Sequence, residues 1–204
     1  MKYVLIACEE SQTICKAFRQ YGCAAYSCDL QKCSGGRPEW HILGDAEIVV
    51  EGCAAYTLET GEQVIIPNRW DLIIAHPPCT FLTHSSAVAL SQGKHTMSQV
   101  EEAARFFMKM LNAPANCVAV ENPAPLKICG LPKYSQTIQP YNFGHIYSKR
   151  VCLWLKNLPP LLPTHGMVIN HIPWLGHCSS RSKRRSKTFE GIAQAMALQW
   201  HDSI

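Results

Sequence analysis

Two side chains that could carry out covalent chemistry follow buried strands of this sequence. Cys79 stands directly after the apolar run DLIIA and the residues His-Pro-Pro, so two prolines stiffen the exit of the strand and fix the direction of the thiol. A cysteine held on such a loop acts as a nucleophile once its surroundings make it a thiolate. The alternative is an inert loop cysteine, and the residue types alone leave both interpretations open.

Glu121 occupies the same kind of place at the end of the later apolar run CVAVE, where Asn122 and Pro123 follow it. Burial raises the pKa of a carboxyl group, so a glutamate entered from an apolar strand is expected to hold its proton and to act as an acid. The alternative is a buried structural glutamate that is hydrogen-bonded to backbone amides.

Two further acids follow the second and third predicted strands. Asp29 lies about 20 residues beyond the end of the first strand, a placement that suits a carboxylate binding both hydroxyls of a ribose. Asp45, after the third strand, is placed to accept a hydrogen bond from an adenine amine. Each acid alone could equally be a helix cap or a turn former. Together they predict a cofactor that contains adenosine.

The loop after the first strand carries acids where a dinucleotide-binding loop carries glycines. Residues 7–12 read ACEESQ and therefore lack the GxGxxG pattern. Glu9 and Glu10 would repel phosphates, but they would not repel a sulfonium cation with a free ammonium group. These acids favour S-adenosylmethionine over NAD or ATP, unless they only cap the following helix.

Basic residues concentrate in one short stretch of the sequence. The formal net charge is only +4, yet this stretch holds Arg181, Lys183, Arg184, Arg185 and Lys187. Such a stretch is either a phosphate-contacting patch or a solvated loop, and charge alone does not separate the two interpretations.

Cysteine content and hydropathy exclude several other classes of protein. Eleven cysteines, an odd number in a 204-residue chain without an export signal, predict reduced thiols rather than a disulfide framework. A zinc site built from His165, His171, His177 and Cys178 matches no common ligand spacing, so no metal is predicted. No apolar run reaches the ~20 residues of a membrane span. We therefore expect a cytoplasmic protein with no membrane partner.

Strands and helices alternate along the chain, which predicts an α/β fold with a doubly wound, mainly parallel sheet. We expect a single domain over residues 1–204, with an irregular, proline- and histidine-rich segment at 156–187. Ligands of such sheets bind at the carboxyl ends of the strands, which is where the candidate residues lie. The predicted strands are 3–7, 24–30, a short one within 41–45, 71–79, 116–125 and 151–155, with a hairpin at 53–66; the predicted helices are 10–21, 98–112 and 188–200.

The residues at two strand ends resemble the motifs of the cytosine-carbon-5 DNA methyltransferases. The catalytic strand of that family ends in Pro-Cys, like Pro78-Cys79, and a later strand ends in Glu-Asn, like Glu121-Asn122. Longer phrases such as ACEESQTICKAFRQYG, WDLIIAHPPCTFL, QTIQPYNFGH and RSKTFEGIAQAMALQW are similar to compact phage- and prophage-type DNA cytosine methylases over residues 3–200. The resemblance implies a class I, Rossmann-like methyltransferase fold with S-adenosylmethionine as cofactor and DNA as substrate.

The resemblance also implies roles for individual residues. Cys79 adds to carbon 6 of a flipped-out cytosine, Glu121 hydrogen-bonds or protonates the ring nitrogen beside the amine, and carbon 5 takes the methyl group. Amino-group methylases carry an acid and an aromatic residue at the positions of His76 and Cys79, which favours carbon over nitrogen as the target. The implied catalytic residues are Cys79, Glu121, Asn122, Arg150 and Lys149; the implied cofactor-binding residues are Cys8, Glu9, Ser11, Asp29, Leu30, Asp45, His76 and Pro77.

The sequence departs from that family at three places. The glycine-rich first loop is replaced, a motif of two arginines keeps only Arg150 with Lys149 near the other position, and residues 156–187 stand in place of a target-recognition domain. We therefore expect sequence specificity to be low, to come from a partner, or to come from a second subunit of a homodimer. The alternatives to a DNA methylase are a catalytically silent binding module and a methylase of RNA or free cytosine nucleotides.

Overall fold

The strands and helices follow the alternation that the sequence predicts. The structure, a computed structural model, describes residues 1–166, 171–174 and 187–204, without the side chain of Ser85. The strands are β1 (Tyr3–Ala7), β2 (Ala24–Asp29), β3 (His41–Leu43), β4 (Ala55–Thr57), β5 (Gln63–Ile65), β6 (Leu72–Ala75), β7 (Cys117–Asn122), β8 (Gln136–Ile138), β9 (Tyr147–Ser148), β10 (Val151–Lys156) and β11 (Ile172–Pro173). The helices are α1 (Thr13–Gln20), α2 (Ala46–Val49), α3 (His84–Ser91), α4 (Met97–Leu111) and α5 (Glu190–Trp200).

Seven of the described strands form one central sheet in the order β3-β2-β1-β6-β7-β10-β8. All neighbours from β3 to β7 are parallel, whereas β10 runs antiparallel to both β7 and β8. The prediction of a mainly parallel α/β sheet is confirmed. The chain builds the sheet outward from β1 in one direction and then from β6 in the other. Doubly wound sheets bind ligands in the crevice that such a reversal leaves at the carboxyl ends of the strands.

Both faces of the sheet are buried, which explains why its parallel strands are continuous apolar runs. Leu5 of β1 belongs to the core cluster around Trp154, whereas its neighbour Val4 belongs to the cluster around Trp200. Residues of α2 and α4 complete the first cluster, and residues of α1 and α5 complete the second. Helices therefore pack against β1 from both faces of the sheet and fix the position of its carboxyl end.

Local capping makes α1 and the third strand shorter than predicted. Residues 10–12 do not join α1, because Gln12 adopts a left-handed conformation with a φ of 59°. β3 ends at Leu43, and the carboxylate of Asp45 instead caps α2 by accepting a hydrogen bond from Glu47 N at 2.9 Å. The hairpin of β4 and β5 is antiparallel, as predicted.

Five of the described elements have no predicted counterpart: α2, α3, β8, β9 and β11. The sequence of α3, HSSAVALS, shows no helical periodicity of apolar residues, and β8 has only three residues. Apart from the end of β10, the described residues of the segment 156–187 form only the two-residue strand β11, which pairs with β9. Residues 167–170 and 175–186 lie outside the described part of the chain.

Within the described ranges, no helix is long and apolar enough to cross a membrane. The ten cysteines in those ranges form no disulfide bond. The same residues include no group of three or more His, Cys, Asp or Glu side chains arranged to hold a metal ion.

Trp154 of β10 provides a test of how much the first core cluster contributes to stability. Its side chain is 2% exposed, its indole N–H donates to Pro132 O at 2.7 Å, and its ring lies 4.8 Å from that of Phe107. Because truncation removes a large apolar side chain and leaves a cavity, Trp154→Ala is expected to lower the free energy of unfolding by about 3–5 kcal/mol. Urea denaturation measures the change, and Ile65→Ala, at a side chain that is 69% exposed, should stay within about 0.5 kcal/mol of wild type.

Candidate functional site

A cavity of about 410 Å³ lies where the strand order reverses, at the carboxyl ends of β1, β2 and β6. The loops that follow these strands build it, together with the residues just before α5. Its wall consists of Cys8, Glu9, Glu10, Ser11, Asp29, Gln31, His76, Pro78, Cys79, Thr80, Lys187 and Thr188. Candidate cofactor residues and the candidate nucleophile, which are far apart in the sequence, therefore share one cavity.

The loop after β1 contains no glycine, yet two of its residues adopt left-handed backbone conformations. Cys8 has a φ of 60° and Gln12 a φ of 59°, and such backbone costs on the order of 1–3 kcal/mol per residue. The resulting turn directs the carboxylate of Glu9 at the first turn of α1, where it accepts hydrogen bonds from Ile14 N at 2.8 Å and Cys15 N at 3.3 Å. Glu9 therefore caps α1, which the sequence offered as the alternative to contact with a cofactor.

Glu10 supplies an unsatisfied acceptor at the cavity wall. The residue is 9% exposed, and its Oε2 atom is buried without a hydrogen-bond partner among the residues that the structure describes. Its Oε1 atom lies 3.9 Å from Nζ of Lys187, and that ammonium group donates to Ser34 Oγ at 2.9 Å. A buried carboxylate oxygen is costly unless a donor or a cation reaches it. Glu10 therefore leaves one carboxylate oxygen at the cavity wall that could accept from a donor or meet a cation.

The residues predicted to bind adenosine are only partly brought together. Asp29 lines the cavity, and its Oδ1 atom accepts a hydrogen bond from Gln31 N at 2.9 Å, which closes the turn after β2. Asp45 caps α2 and Leu30 is 78% exposed, and neither belongs to the cavity wall. Of the two predicted acids, only Asp29 faces this cavity.

Two cysteines line the cavity, and their surroundings differ. Cys79 is exposed on the loop after β6. Cys8 is more enclosed, so burial raises the pKa of its thiol and the nearby charge of Asp29 raises it further. A thiol with a raised pKa forms little thiolate at neutral pH. Cys8 is therefore poorly suited to act as a nucleophile at neutral pH.

Glu121 is connected to the loop of Cys79 by a hydrogen bond with His76. The Nδ1 atom of His76 lies 3.0 Å from Oε2 of Glu121, and the two side chains are 9% and 14% exposed. Burial acts to raise the pKa of Glu121, but the hydrogen bond from His76 and the charges of Lys149 and His76 outweigh it, so the pKa is lowered. The prediction of a raised pKa is wrong, because it included burial but not a histidine that only the fold brings close.

Asn122 links β7 by a hydrogen bond to the loop that carries Cys79. Its Nδ2 atom donates a hydrogen bond to the carbonyl oxygen of Pro77 at 2.7 Å, and no described residue hydrogen-bonds its buried Oδ1 atom. Pro77, predicted to contact the cofactor, is buried, and its carbonyl anchors this bond. The bond restrains the strand exit that carries Cys79 relative to Glu121.

The predicted cations stand in different surroundings. Lys149 is near enough to Glu121 for its charge to help lower the pKa of that carboxyl group, and its backbone N–H donates to Gln139 Oε1 at 2.9 Å. Arg150 is exposed and lies outside the cavity wall. Lys187 lines the cavity. The remaining predicted nucleic-acid-binding residues, Arg181, Lys183, Arg184 and Arg185, lie outside the described residues.

Several cavity residues were not predicted as site residues. Gln31, Pro78, Thr80 and Thr188 line the wall beside Asp29, Cys79 and Lys187, and Glu10 was predicted only as a charge in the first loop. The one signal that could have found them is their adjacency in the sequence to predicted residues, since their residue types suggest no special chemistry.

The cap on α1 gives a prediction for the pH dependence of stability. Burial raises the pKa of Glu9 above its ordinary value of 4.5, and the charge of His76 and the hydrogen bonds from Ile14, Cys15 and Ser11 only partly offset this. The folded protein therefore holds this proton more tightly than the unfolded chain, so the stability that Glu9 contributes is present below its ordinary pKa and is lost as pH rises through the folded pKa.

The glutamine of Glu9→Gln cannot ionise, so the stability of wild type relative to this variant should fall as pH rises above 4.5, the ordinary pKa of a glutamate. Urea denaturation at each pH measures the difference. Glu101→Gln, at an exposed position of α4, controls for the removal of one carboxyl group. A difference that rises with pH would contradict this role of burial.

Comparisons with known proteins add little to this geometry. No protein-family model matches the sequence, and no curated protein matches it. Among 31 solved protein chains that match the structure is a proposed DNA modification methyltransferase encoded within a prophage of E. coli. It is 12% identical, with a TM-score of 0.46. The match covers 76% of this chain and 46% of that one, so the chain spans less than half the length of that protein. A likeness at this level carries no conclusion about function.

Proposed function

We propose that this chain is a class I, S-adenosylmethionine-dependent methyltransferase that adds a methyl group to carbon 5 of cytosine in DNA. The observation that carries the proposal is the single cavity that places Cys79 beside two acidic side chains, Asp29 and Glu10. A thiol nucleophile and a carboxylate-lined binding site are the two parts that such a reaction requires. The DNA substrate comes from the sequence resemblance.

The sheet supports the class of fold. Counted along the central sheet alone, its strands follow the order 3-2-1-4-5-7-6, with only the seventh strand reversed. A dinucleotide-binding sheet has the order 3-2-1-4-5-6. The inserted antiparallel strand distinguishes the two and agrees with the class I methyltransferase fold that the resemblance implies.

The cavity fits S-adenosylmethionine better than a phosphate-bearing cofactor. Its loop after β1 holds no glycine that would bring backbone N–H groups close to a phosphate, and the buried Oε2 atom of Glu10 has no hydrogen-bond partner among the described residues, so a phosphate there would face a second acceptor. A cation would satisfy that oxygen, and Asp29 is placed to accept from ribose hydroxyls at the end of β2. When bound, this cofactor supplies the methyl group.

Cys79 and Glu121 would act on the flipped-out base. The thiolate of Cys79 forms a bond to carbon 6, and the displaced electron pair moves into the ring. Carbon 5 becomes nucleophilic and takes the methyl group; its proton then leaves to a base, and the bond to Cys79 breaks with the electron pair returning to sulfur. The negative charge that the thiolate brings into the ring is consumed when carbon 5 bonds to the methyl group. Because its pKa is lowered, Glu121 enters as a carboxylate that would accept a hydrogen bond from the exocyclic amine and orient the base.

Binding of DNA in the absence of a target-recognition domain would depend on phosphate contacts. We assign these to the basic stretch of Arg181, Lys183, Arg184, Arg185 and Lys187, whose last member lines the cavity. Such contacts are independent of sequence and weaken with salt. Specificity would then come from a partner or a second subunit.

Cys79→Ser tests the nucleophile. A serine hydroxyl is far less acidic than a thiol, so formation of 5-methylcytosine should fall by roughly a thousandfold or more while cofactor binding persists. Wild type and variant are incubated with labelled S-adenosylmethionine and, separately, DNA, RNA and cytosine nucleotides, and the methylated base is identified after digestion.

Cys53→Ser, at a second exposed cysteine outside the cavity, is the matched control and should retain activity. Near wild-type 5-methylcytosine formation by Cys79→Ser would reject the covalent mechanism. Cofactor binding by wild type without any methylated product would identify a silent binding module, and methylation of RNA or free nucleotides alone would reassign the substrate.

Glu10→Gln tests the fit of the cofactor. Loss of one charge-assisted contact should weaken S-adenosylmethionine binding about ten- to a hundredfold. Calorimetry with S-adenosylmethionine and S-adenosylhomocysteine measures it, and an equal loss for both would assign Glu10 to the ammonium group that they share. The control variant Glu101→Gln should bind S-adenosylmethionine and S-adenosylhomocysteine as wild type does. If Glu10→Gln bound the cofactor with unchanged affinity, Glu10 would not contact its cationic end.

A further inference from the structure

A second cleft, of about 410 Å³, lies between α1 and the connection from β2 to β3. Its described lining residues are Lys16, Arg19, Gln20, Arg37 and Trp40, which include three cations and no acid. None of these residues belongs to the wall of the cavity that holds Cys79. Like charges that converge on one cleft repel one another, and a bound anion would relieve that repulsion.

Trp40 holds two guanidinium groups in this cleft. The central carbon of Arg37 lies 4.1 Å from the centre of the indole ring, and that of Arg19 lies 4.9 Å from it. The side chain of Arg37 is 49% exposed, and only its Nε atom is paired among the described residues, with Glu39 Oε1 at 3.0 Å. An exposed pair of this kind contributes little, so the planar guanidinium remains available to a phosphate group, whose geometry it matches.

The backbone that carries Arg37 is fixed without help from its side chain. Gln12 is fully buried; its Oε1 atom accepts from Arg37 N at 3.0 Å, and its Nε2 atom donates to Arg37 O at 2.7 Å. Lys16 Nζ donates to Gly35 O, and a Cβ atom at Gly35 would lie 2.6 Å from Ser11 O, so this turn packs tightly on the start of α1. The guanidinium of Arg37 is therefore presented from a rigid support.

The same connection reaches the catalytic cavity. Lys187, in the cavity wall, donates to Ser34 Oγ at 2.9 Å. Ser34 precedes Arg37 by three residues, so their Cα atoms are at most about 11 Å apart. Nucleotides in one strand of a duplex rise by about 3.4 Å, so this distance corresponds to about three of them. One strand could therefore contact Lys187 and the cleft at the same time.

We propose that the cleft of Lys16, Arg19 and Arg37 binds the phosphodiester backbone of a DNA strand, a few nucleotides from the base in the catalytic cavity. The cleft extends the phosphate-binding surface beyond Lys187 and the basic stretch that it ends. Such contacts supply affinity and register but carry no information about sequence. The inference rests on the proposed function for the identity of the polymer; the charge and geometry come from the cleft itself.

The double variant Lys16→Gln/Arg37→Gln removes two charges and keeps most of both side chains. Arg19 is left unchanged, because its Nε atom donates to Ala25 O at 2.8 Å within the fold. Arg105→Gln, at an exposed arginine of α4, is the control, since α4 packs on the other face of the sheet. Affinity for a labelled DNA duplex is measured by fluorescence anisotropy at several salt concentrations, and urea denaturation checks that each variant folds.

Loss of two phosphate contacts should reduce the log–log salt slope of the double variant by about 1.8. If it binds like wild type at 1 M salt, its affinity at 0.1 M should be roughly 60-fold lower. Arg105→Gln should keep the wild-type slope, and so should Arg37→Lys, which keeps the charge. A folded double variant with wild-type affinity and slope overturns the proposal, as does an equal loss in Arg105→Gln.

A measurement on the wild type does not depend on whether the variants fold. The indole N–H resonance of Trp40, assigned in ¹⁵N NMR spectra by comparison with Trp40→Phe, should shift when DNA is added. An unmoved resonance overturns the proposal. Inorganic phosphate and poly-glutamate at the same concentration of negative charge should leave the resonance in place; a shift equal to that with DNA would identify a site for any anion and overturn the assignment to DNA.

Failure of the proposed function gives a different result. If DNA binding depends on Lys16 and Arg37 but the wild type forms no 5-methylcytosine, the methylation is wrong and the cleft remains a DNA-binding site. If 5-methylcytosine forms but the double variant binds DNA as wild type does, only the role of the cleft is overturned.

Discussion

The reversal of strand order between β1 and β6 is the constraint on which the site depends. Both strands are buried on both faces, so their directions are held by the helical layers above and below the sheet. Their parallel pairing, with Ala7 opposite Ala75, brings the two strand ends into register at one edge. The loops that follow must diverge there, and the cavity is the space that they leave.

The three acidic side chains at this edge, Glu9, Asp29 and Glu10, differ in their hydrogen-bond partners. Glu9 is buried, and its carboxylate oxygens accept hydrogen bonds from backbone N–H groups of α1, so this side chain stabilises the helix. Asp29 uses one oxygen to close a turn. Glu10 has one oxygen near Lys187 and one that no residue in the described ranges hydrogen-bonds. A buried carboxylate oxygen of this kind is costly unless a hydrogen-bond donor or a cation reaches it.

His76 connects two parts of the chain that the chemistry would use together. It follows β6 three residues before Cys79, hydrogen-bonds Glu121 at the end of β7, and lies near enough to Glu9 for its charge to lower the pKa of that carboxyl group against the larger effect of burial. The cap of α1, the loop of the nucleophile and the candidate base-binding carboxylate are thereby coupled. A change at any one of them alters the electrostatic surroundings of the other two.

Local patterns were enough to predict much of this protein. Apolar runs marked β1, β2, β6, β7 and β10, and the spacing of apolar residues marked α1, α4 and α5, because burial on one or both faces leaves a periodicity that needs no knowledge of the fold. The order of elements and the prolines before Cys79 placed that thiol and Asp29 at the ligand-binding edge. Only the tertiary structure decided which of these residues are close in space: Glu9 caps α1, Asp45 caps α2, and His76 contacts Glu121. Hydrogen bonds between residues 45 positions apart, and the pKa shifts they cause, depend on distances in space that a linear pattern does not encode.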